Sequence, residues 1–354
     1  MSAALFGFDA GDIDDALTRV PGSIAKLDGT RIFVTGGTGF IGRWLLALFA
    51  RAAVDIDVVA LTRDSAAFRA RHPETAGLPW LSFVEGDARS FAYPAGAFSH
   101  VIHAAADTSV EADNKPMELA ATIVDGARRT LDFAARAGAR RFLYLSSGAV
   151  YGRQPADMER VPEDFAGAPD PLDPRAVYGN SKRAAEMLCA AAARAENLDC
   201  VVARVFAVVG PGLPLDAHFA IGNFIRDALA SRDIVVSGDG SPLRSYIYAG
   251  DLAAWLVALL VGGRANTAYN VGSDEPVSIS GLAAIVQGAL DSPGLVRTLG
   301  KPAPGAPRAR YVPSIDRARR DLGLDIWTPL DEAIRRAAAH AARSTSAAPT
   351  RDAA

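Results

Sequence analysis

Thr35-Gly-Gly-Thr-Gly-Phe-Ile-Gly42 is the stretch that decides the fold of this chain. A short apolar run, Ile32 to Thr35, precedes it, and an amphipathic helical pattern over residues 42–52 follows it. In a strand–turn–helix of this kind, Gly36 permits the tight turn, Gly39 lets the backbone approach a pyrophosphate, and Gly42 lets helix and strand pack closely. The unpaired N–H groups at the start of the helix then face the phosphates. The stretch therefore predicts a dinucleotide-binding loop rather than a glycine turn without a ligand.

Short apolar segments and amphipathic helices alternate along the first 200 or so residues. Further strands are predicted at 57–62, 81–85, 100–104, 142–146 and 200–206, with long helices at 117–137 and 178–196. This alternation implies right-handed crossovers and a parallel sheet covered by helices on both faces. We therefore predict an α/β fold with a Rossmann-type, doubly wound parallel sheet.

The pattern changes after Gly-Pro-Gly at 210–212, where loops become longer. We expect residues 30–210 to form mainly the dinucleotide-binding domain. Residues 211–343 are expected to form mainly a smaller substrate-binding lobe, some segments of which return to the first domain. Residues 1–29 are predicted to be an N-terminal helical extension that packs on the core. Residues 344–354, rich in Ser, Thr, Ala and Pro, are predicted to be a disordered tail.

The composition argues against several classes of partner. The chain has 37 Lys and Arg against 40 Asp and Glu, a net charge of −3, which does not favour nucleic acid or an anionic membrane. No run approaches the ~18 apolar residues of a membrane span, and no basic-then-apolar signal begins the chain. Cys189 and Cys200 lack metal-site spacing and fit a reducing compartment. We expect a cytoplasmic protein without a bound metal.

The residues that distinguish NAD from NADP are expected about 20 residues after the loop, at the end of the second strand. Thr62 and Arg63 occupy this place. Arg63 can pair with a 2′-phosphate, which favours NADP. Alternatively, Arg63 is solvated, Asp64 reads the ribose and NAD binds. Asp87 and Ala88, after the third strand, are candidates to frame the adenine, unless Asp87 only caps a turn.

Ser147, Tyr178 and Lys182 form the candidate catalytic set. Ser147 ends the fifth strand, at the sheet edge where active sites form, and Tyr178 and Lys182 share one face of a helix. An ammonium beneath a phenol stabilises the phenolate, so Tyr178 can exchange a proton near neutral pH. The serine hydroxyl can donate to a substrate oxygen while a nicotinamide takes or gives hydride. A Tyr-x-x-x-Lys spacing also arises by chance on helices, so the loop and the serine are needed to predict a hydride-transfer site.

With these motifs in this order, residues 30–335 resemble the extended short-chain dehydrogenase/reductase superfamily, and in particular its nucleotide-sugar epimerase/dehydratase branch. The resemblance implies that Ser147, Tyr178 and Lys182 are catalytic. It also implies an NADP or NAD site formed by the glycine loop, the ends of the next strands and the catalytic helix. Its residues would be Gly36, Thr38, Gly39, Phe40, Ile41, Gly42, Thr62, Arg63, Asp87, Ala88, Ala104, Ala105, Ala106, Tyr178 and Lys182.

The second lobe resembles the family in its diphosphate-binding positions. Asn223 resembles the asparagine that contacts the diphosphate, and Arg244 resembles the arginine that binds a phosphate. A guanidinium fork suits a pyrophosphate. Thr108 and Ser147 complete the predicted substrate contacts. The resemblance implies a nucleotide-diphosphate sugar as substrate and a homodimer formed by the two long helices, whose faces could equally pack within one chain.

Gly148 and Ala149 depart from the family pattern. Dehydratases of this branch carry an Asp-Glu pair, or at least a Glu, directly after the catalytic Ser or Thr, where it abstracts and returns protons. We therefore expect a C4 epimerase or a 4-keto reductase. A 4,6-dehydratase or a decarboxylase is the alternative, and it would need Asp107 or Glu111 as an atypical base.

Two further features of the second half bear on the function. Ala207 stands where the family has an asparagine, and residues 269–272 resemble a structural turn of the family. A non-catalytic nucleotide-binding protein is the alternative from another class. Such a protein would be expected to have lost Tyr178, Lys182 or the loop glycines, all of which are present.

A reductase of non-nucleotide ketones is a further alternative. It would leave Arg244 without a role.

Overall fold

The computed structural model describes residues 5–106, 114–217, 219–301 and 308–346. Thr108, for which a substrate contact is predicted, lies outside these residues, as do Asp107 and Glu111.

The described residues form short strands and longer helices, and the two alternate through the first half of the chain. The strands are β1 (Thr30–Thr35), β2 (Ile56–Thr62), β3 (Leu81–Glu85), β4 (His100–His103), β5 (Arg141–Ser147), β6 (Asp199–Val205), β7 (Val208–Val209), β8 (Ile234–Val236), β9 (Leu243–Arg244), β10 (Ile247–Tyr248), β11 (Thr267–Val271), β12 (Val277–Ser278), β13 (Val296–Thr298) and β14 (Arg310–Tyr311). The α-helices are α1 (Ala10–Arg19), α2 (Pro21–Ala25), α3 (Phe40–Arg51), α4 (Ser65–Arg71), α5 (Pro116–Arg136), α6 (Val177–Glu196), α7 (Ala220–Leu229), α8 (Ala249–Gly262), α9 (Ile279–Ala289), α10 (Asp316–Leu322) and α11 (Leu330–Ser346).

The central sheet has seven strands in the order β11-β6-β5-β4-β1-β2-β3, and each neighbouring pair is parallel. Helices α5 and α6 pack against each other on one face, whereas α3 and α8 cover the other. This is the predicted Rossmann-type architecture. The carboxyl ends of parallel strands lie at one edge, where ligands bind in such folds. That edge brings together the loop after β1, the alanine segment after β4 and Ser147 at the end of β5.

The second lobe consists of short strand pairs and the helices around them. Strand β9 pairs with β12 and with β14, β8 pairs with β13, and β7 pairs with β10. One segment returns to the central sheet: β11 lies beside β6. The prediction of a turn at residues 269–272 is therefore wrong for 269–271, which are part of this strand. Tyr269 and Val271 are fully buried there, so the pairing is stabilised by apolar burial.

The N-terminal extension forms two helices rather than one, because Pro21 lacks the N–H that would continue α1. Before α1, Leu5 and Phe8 exchange backbone hydrogen bonds in a tight turn that we call the N-terminal hook, residues 5–8. The Phe8 ring is fully buried and stacks on Trp44 of α3 at 4.3 Å between ring centroids. The Trp44 indole in turn donates to the carbonyl of Pro211, 3.1 Å away. The hook therefore ties α3 to the loop that follows β7.

At the other end, α11 continues to Ser346, so residues 344–346 of the predicted disordered tail are helical, and 347–354 lie outside the described residues. Among the helices of the described ranges, none combines the length and the apolar character that spanning a bilayer would need.

We predict that Phe8→Ala lowers the free energy of unfolding by about 3–5 kcal/mol, because the substitution leaves a cavity against Trp44. Chemical denaturation would measure the loss. Leu172→Ala is the matched control, since Leu172 is 89% exposed, and its effect should stay within about 0.5 kcal/mol. Equal effects of the two substitutions would mean that the hook does not contribute to stability.

Candidate functional site

The glycine loop has a shape that only glycine permits. Gly36 has a φ of +71°, and a Cβ placed on it would lie 2.7 Å from the carbonyl carbon of Ala104. A Cβ on Gly42 would collide with the backbone of Gly36. Gly39 precedes the first residue of α3, Phe40, and supplies no side-chain cap. The N–H groups of the first turn, which includes Ile41, are thus left to a ligand at this helix start, and a phosphate fits this chemistry.

The alanine segment after β4 is held against this loop. The Ala104 N–H donates to the carbonyl of Thr35 and the Ala105 N–H to its hydroxyl, at 3.1 and 3.2 Å. His103, directly before, places Nδ1 2.8 Å from the same hydroxyl. Burial lowers the pKa of His103 to about 3, so the imidazole is neutral. Ala104, Ala105 and Ala106 therefore begin at a rigid strand end, and their cofactor contacts stay a prediction.

At the end of β2, Thr62 is buried, and its hydroxyl oxygen lies 3.5 Å from that of Thr38 in the glycine loop. Arg63 is exposed. The carboxylate of Asp64 accepts the N–H of Ala67 at 2.8 Å and so caps α4. Arg63 is therefore open to a ligand, whereas Asp64 is engaged in the structure of the helix.

Asp87 is engaged in a similar way. Its two carboxylate oxygens accept from the guanidinium of Arg89 at 2.7 and 2.8 Å, and one also accepts the Arg89 N–H. These hydrogen bonds hold the pKa of Asp87 below its usual value. Ala88 lies against Gly126 of α5. Asp87 therefore caps a turn, as one of the two predictions had it. That Asp87 and Ala88 frame the adenine stays a prediction.

Lys182 is a buried cation on α6, the helix that also carries Tyr178. Its ammonium donates to the carbonyl of Leu145 in β5 at 2.7 Å, and only 2% of the residue is exposed. The nitrogen lies 5.0 Å from the ring centroid of Tyr144 and 5.9 Å from that of Tyr178, within reach of cation–π attraction. This geometry brings Tyr178 and Lys182 together beside the strand that ends in Ser147.

A polar network that the sequence analysis missed lies behind Lys182. Glu186, one helical turn further, accepts from the hydroxyl of Ser146 at 2.5 Å and from the guanidinium of Arg204 at 2.7 Å. Burial lowers the pKa of Lys182 to about 8, and the charge of Glu186 opposes this shift. The spacing of three residues is the sequence signal that could have revealed Glu186. Tyr178, Lys182 and Glu186 are each four positions apart, so they share one face of the helix.

Tyr311 of β14 is a second residue that the sequence analysis missed. Its ring packs on that of Phe206 at 4.6 Å between centroids, and its hydroxyl would lie 2.7 Å from a Cβ on Gly148, the residue after Ser147. Ser147 also accepts the Ala149 N–H at 3.2 Å. Arg244 pairs with Tyr311 in the neighbouring strand and holds its guanidinium carbon 5.8 Å from the Tyr311 ring centroid. The second lobe thereby reaches the residue that follows Ser147.

The two predicted diphosphate residues lie on different elements of the second lobe. Arg244 lies beside Tyr311, whose hydroxyl approaches Gly148, as described above. Asn223 is on α7, where its amide oxygen accepts from the guanidinium of Arg226 at 3.1 Å. Contacts of Arg244 and Asn223 with a diphosphate stay predictions.

We predict that the buried ammonium makes stability depend on pH. The pKa of Lys182 is about 8 in the folded chain, against about 10.4 for an unperturbed lysine. Between these values the unfolded chain binds more protons, so folding stability rises with pH. Relative to Lys182→Met, the unfolding free energy of the wild type should increase by about 2 kcal/mol from about pH 7 to about pH 9.5. Chemical denaturation at both pH values measures this. The exposed Lys26, changed to Met, is the control and should give no such difference.

Comparisons with known proteins identify the family of the chain. The profile of the NAD dependent epimerase/dehydratase family matches residues 32–272. UDP-glucuronic acid decarboxylase 1 of Xenopus tropicalis is 30% identical over 315 residues, which are 88% of this chain and 72% of that protein. An epimerase of Methanothermobacter thermautotrophicus shares the fold, with a TM-score of 0.77 and 24% identity over 93% of this chain and 97% of its own. RMD of Pseudomonas aeruginosa, solved with NADPH, has a TM-score of 0.70 and 25% identity over 88% and 98%.

The matched span contains the glycine loop, Ser147, Tyr178 and Lys182, so the resemblance found from the sequence is confirmed. The chain is an enzyme of the NAD dependent epimerase/dehydratase family, within the extended short-chain dehydrogenase/reductase superfamily.

Proposed function

We propose that this enzyme catalyses hydride transfer at C4 of a nucleotide-diphosphate sugar, as an epimerase or a 4-keto reductase. The observation that carries the proposal is the meeting of Ser147, Tyr178 and Lys182 at the sheet edge that also holds the glycine loop. A nicotinamide cofactor, when bound, supplies or accepts the hydride. Gly36, Gly39 and Gly42 would hold its pyrophosphate.

Residues of the chain transfer the proton and hold the C4 oxygen of the sugar. Tyr178 takes the proton of the C4 hydroxyl when that carbon is oxidised and returns it when the ketone is reduced. The Lys182 ammonium, buried near the Tyr178 ring, stabilises the phenolate that forms. Ser147 donates to the C4 oxygen and holds it in place. An epimerase reduces the opposite face of the same ketone, whereas a 4-keto reductase starts from the ketone.

A nucleotide-diphosphate sugar is supported by the relative that acts, by its name, on UDP-glucuronic acid, and by Arg244 in the second lobe. An arginine near the catalytic serine can pair with a diphosphate at a distance that leaves the sugar over Tyr178. Asn223 and Thr108 would add contacts to the substrate.

Decarboxylation is the second candidate, and the same relative favours it. Oxidation at C4 of a glucuronate places a ketone two carbons from the carboxylate. The bond from C5 to the carboxyl carbon then breaks, its electron pair forms the enolate, CO₂ leaves and a proton adds at C5. No base has to remove a C–H proton in this sequence. The missing carboxylate at Gly148 and Ala149 therefore weighs against 4,6-dehydration much more than against decarboxylation.

A homodimer built on α5 and α6 is a further part of the proposal. Met117 of α5 and Met187 of α6 are 81% and 65% exposed, which is unusual for large apolar side chains and supports an apolar contact between copies. The cytoplasmic location stays a prediction.

We predict that Tyr178→Phe lowers kcat by at least about 10²–10³-fold while cofactor affinity stays nearly unchanged, because only the proton route is lost. The wild type and the variant would be incubated with UDP-glucose, UDP-galactose and UDP-glucuronate and with NAD or NADP. Product analysis by mass spectrometry and NMR separates epimerisation from loss of CO₂, and 4-keto-sugar substrates test reduction. Near-normal turnover in the variant would contradict the role of Tyr178, and no turnover of any sugar nucleotide by the wild type would contradict the proposed function.

We propose that NADP is the preferred cofactor, because Arg63 is exposed at the ribose-reading position while Asp64 caps α4. Arg63→Ala should weaken binding of NADP about tenfold or more and change binding of NAD less than about twofold, since only NADP has the 2′-phosphate. Fluorescence titration measures both affinities. Arg194→Ala, which removes an exposed arginine near the end of α6, is the matched control. An equal loss of affinity for both cofactors would mean that Arg63 does not distinguish NADP from NAD.

A further inference from the structure

Glu186 of α6 binds two neighbouring strands of the central sheet at once. One of its carboxylate oxygens accepts from the hydroxyl of Ser146 in β5 at 2.5 Å, and both accept from the guanidinium of Arg204 in β6, at 2.7 to 3.2 Å. Ser146 and Arg204 are register partners in this parallel pair, so one carboxylate spans the two strands. We call these three side chains the Glu186 clamp. The proposed proton route does not use the clamp, although Ser146 directly precedes Ser147.

The clamp is largely shielded from solvent and is held on its far side. Ser146 is 4% exposed, and the side chains of Glu186 and Arg204 are each 14% exposed. Arg204 also donates to the hydroxyl of Tyr151 at 2.8 Å and to the carbonyl of Glu163 at 3.1 Å. Hydrogen bonds of charged groups are short and strong in such surroundings, so the carboxylate is fixed in one position.

Glu186 lies on the helix face that carries the catalytic candidates. Tyr178, Lys182 and Glu186 follow one another along this side of α6, four residues apart. The Lys182 ammonium donates to the carbonyl of Leu145 at 2.7 Å, one residue before Ser146. Helix α6 is therefore tied to β5 at two successive residues, directly before the last residue of the strand.

We propose that Glu186 is a positioning residue, which acts through Ser146 and Arg204 to set the distance between the Ser147 hydroxyl and the Tyr178 phenol. The inference rests on the proposed function, because it assigns both of these groups to the C4 oxygen of the sugar.

A single sugar oxygen has to meet both groups, and this gives the physical reason for the clamp. Ser147 ends a strand and Tyr178 begins a helix, whereas a hydrogen bond forms only over a narrow range of distances. The bond from Lys182 fixes one point of the helix, and the clamp fixes a second point one turn further. The helix then cannot slide or turn relative to the strand without breaking a charged hydrogen bond. A displacement of about 1 Å at a reacting group costs up to about 10²-fold in rate.

The chemistry of the clamp defines the variant that breaks it. Both oxygens of Glu186 are acceptors, as the hydroxyl of Ser146 and the guanidinium of Arg204 require. Glutamine has one acceptor oxygen, and its amide N–H groups would face the N–H groups of the guanidinium. Glu186→Gln therefore keeps the size of the side chain but loses the paired hydrogen bonds.

Steady-state kinetics of the full-length enzyme test the proposal. Glu186→Gln should lower kcat about tenfold or more and leave KM within about twofold, because the reacting groups are displaced while the contacts that bind the substrate remain. Both constants would be measured with the sugar nucleotide that the wild type turns over, at a temperature at which circular dichroism shows the variant to be folded.

The matched control is Glu196→Gln, the same exchange at the exposed last residue of α6, and it should keep the wild-type kcat. A residue that only stabilises the fold would leave kcat of the folded enzyme unchanged. A wild-type kcat in Glu186→Gln, or equal losses in the two variants, would overturn the positioning role.

Ser146→Ala is a milder variant that decides the question even where Glu186→Gln does not fold. It removes one oxygen and keeps the pair of Glu186 and Arg204. The loss of one hydrogen bond should lower kcat about three- to tenfold. In the double variant the two losses should not multiply, because both substitutions break the same clamp. A wild-type kcat in Ser146→Ala, or full additivity, would contradict the proposal.

A readout without turnover separates this inference from the proposed function. Crystal structures of the wild type, Glu186→Gln and Glu196→Gln would give the distance from Ser147 Oγ to Tyr178 Oη. This distance should change by more than about 0.5 Å in Glu186→Gln, beyond the tolerance of a catalytic geometry, and should stay constant in the control. An unchanged distance in Glu186→Gln would overturn the inference. A wild type that turns over no sugar nucleotide contradicts the proposed function alone, and the distance still tests the clamp.

Discussion

The burial of the Lys182 ammonium between α6 and β5 is the constraint on which the arrangement of the candidate site depends. An ammonium taken out of water needs compensation, and here it has one carbonyl and two aromatic faces, with the Glu186 carboxylate one turn away. These partners hold in place the helix that carries Tyr178. They also fix the helix against the strand that ends in Ser147. The position of the Tyr178 helix relative to Ser147 is therefore set by contacts between that helix and β5.

The same region joins the two halves of the molecule. Arg204 of β6 binds Glu186, and its guanidinium also donates to the Tyr151 hydroxyl, which in turn donates to Asn270 of the returning strand β11. Such a satisfied polar network specifies one arrangement, since each member would lose a partner in another. The short strands β9 and β14 then place Arg244 and Tyr311 over the sheet edge. The site is thus assembled from segments that are distant in sequence.

The part of the fold and of the candidate site that could be predicted is the part whose signal lies within a few neighbouring residues of the sequence. The glycine loop, the apolar strands and the Tyr178–Lys182 spacing depend on periods of two to four residues, and the structure confirms the sheet that they predict. Tyr311 could not be found in this way, because a two-residue strand has no periodicity and its neighbours Gly148 and Phe206 are distant in the sequence. Residues 269–271, for which the family resemblance predicted a turn, are part of β11 because they pair with the distant strand β6. Arg204 was visible only as a charge within an apolar strand.

The N-terminal hook constrains how three distant segments of the chain can move relative to one another. Phe8 stacks on Trp44 of the helix that begins at the glycine loop, and Trp44 is bonded to Pro211 at the start of the second lobe. Gly7 in the same hook lies against His340 of α11. A movement that widens the space between these elements has to unstack the aromatic pair or break the indole hydrogen bond. The hook therefore opposes relative displacement of α3, the loop after β7 and α11.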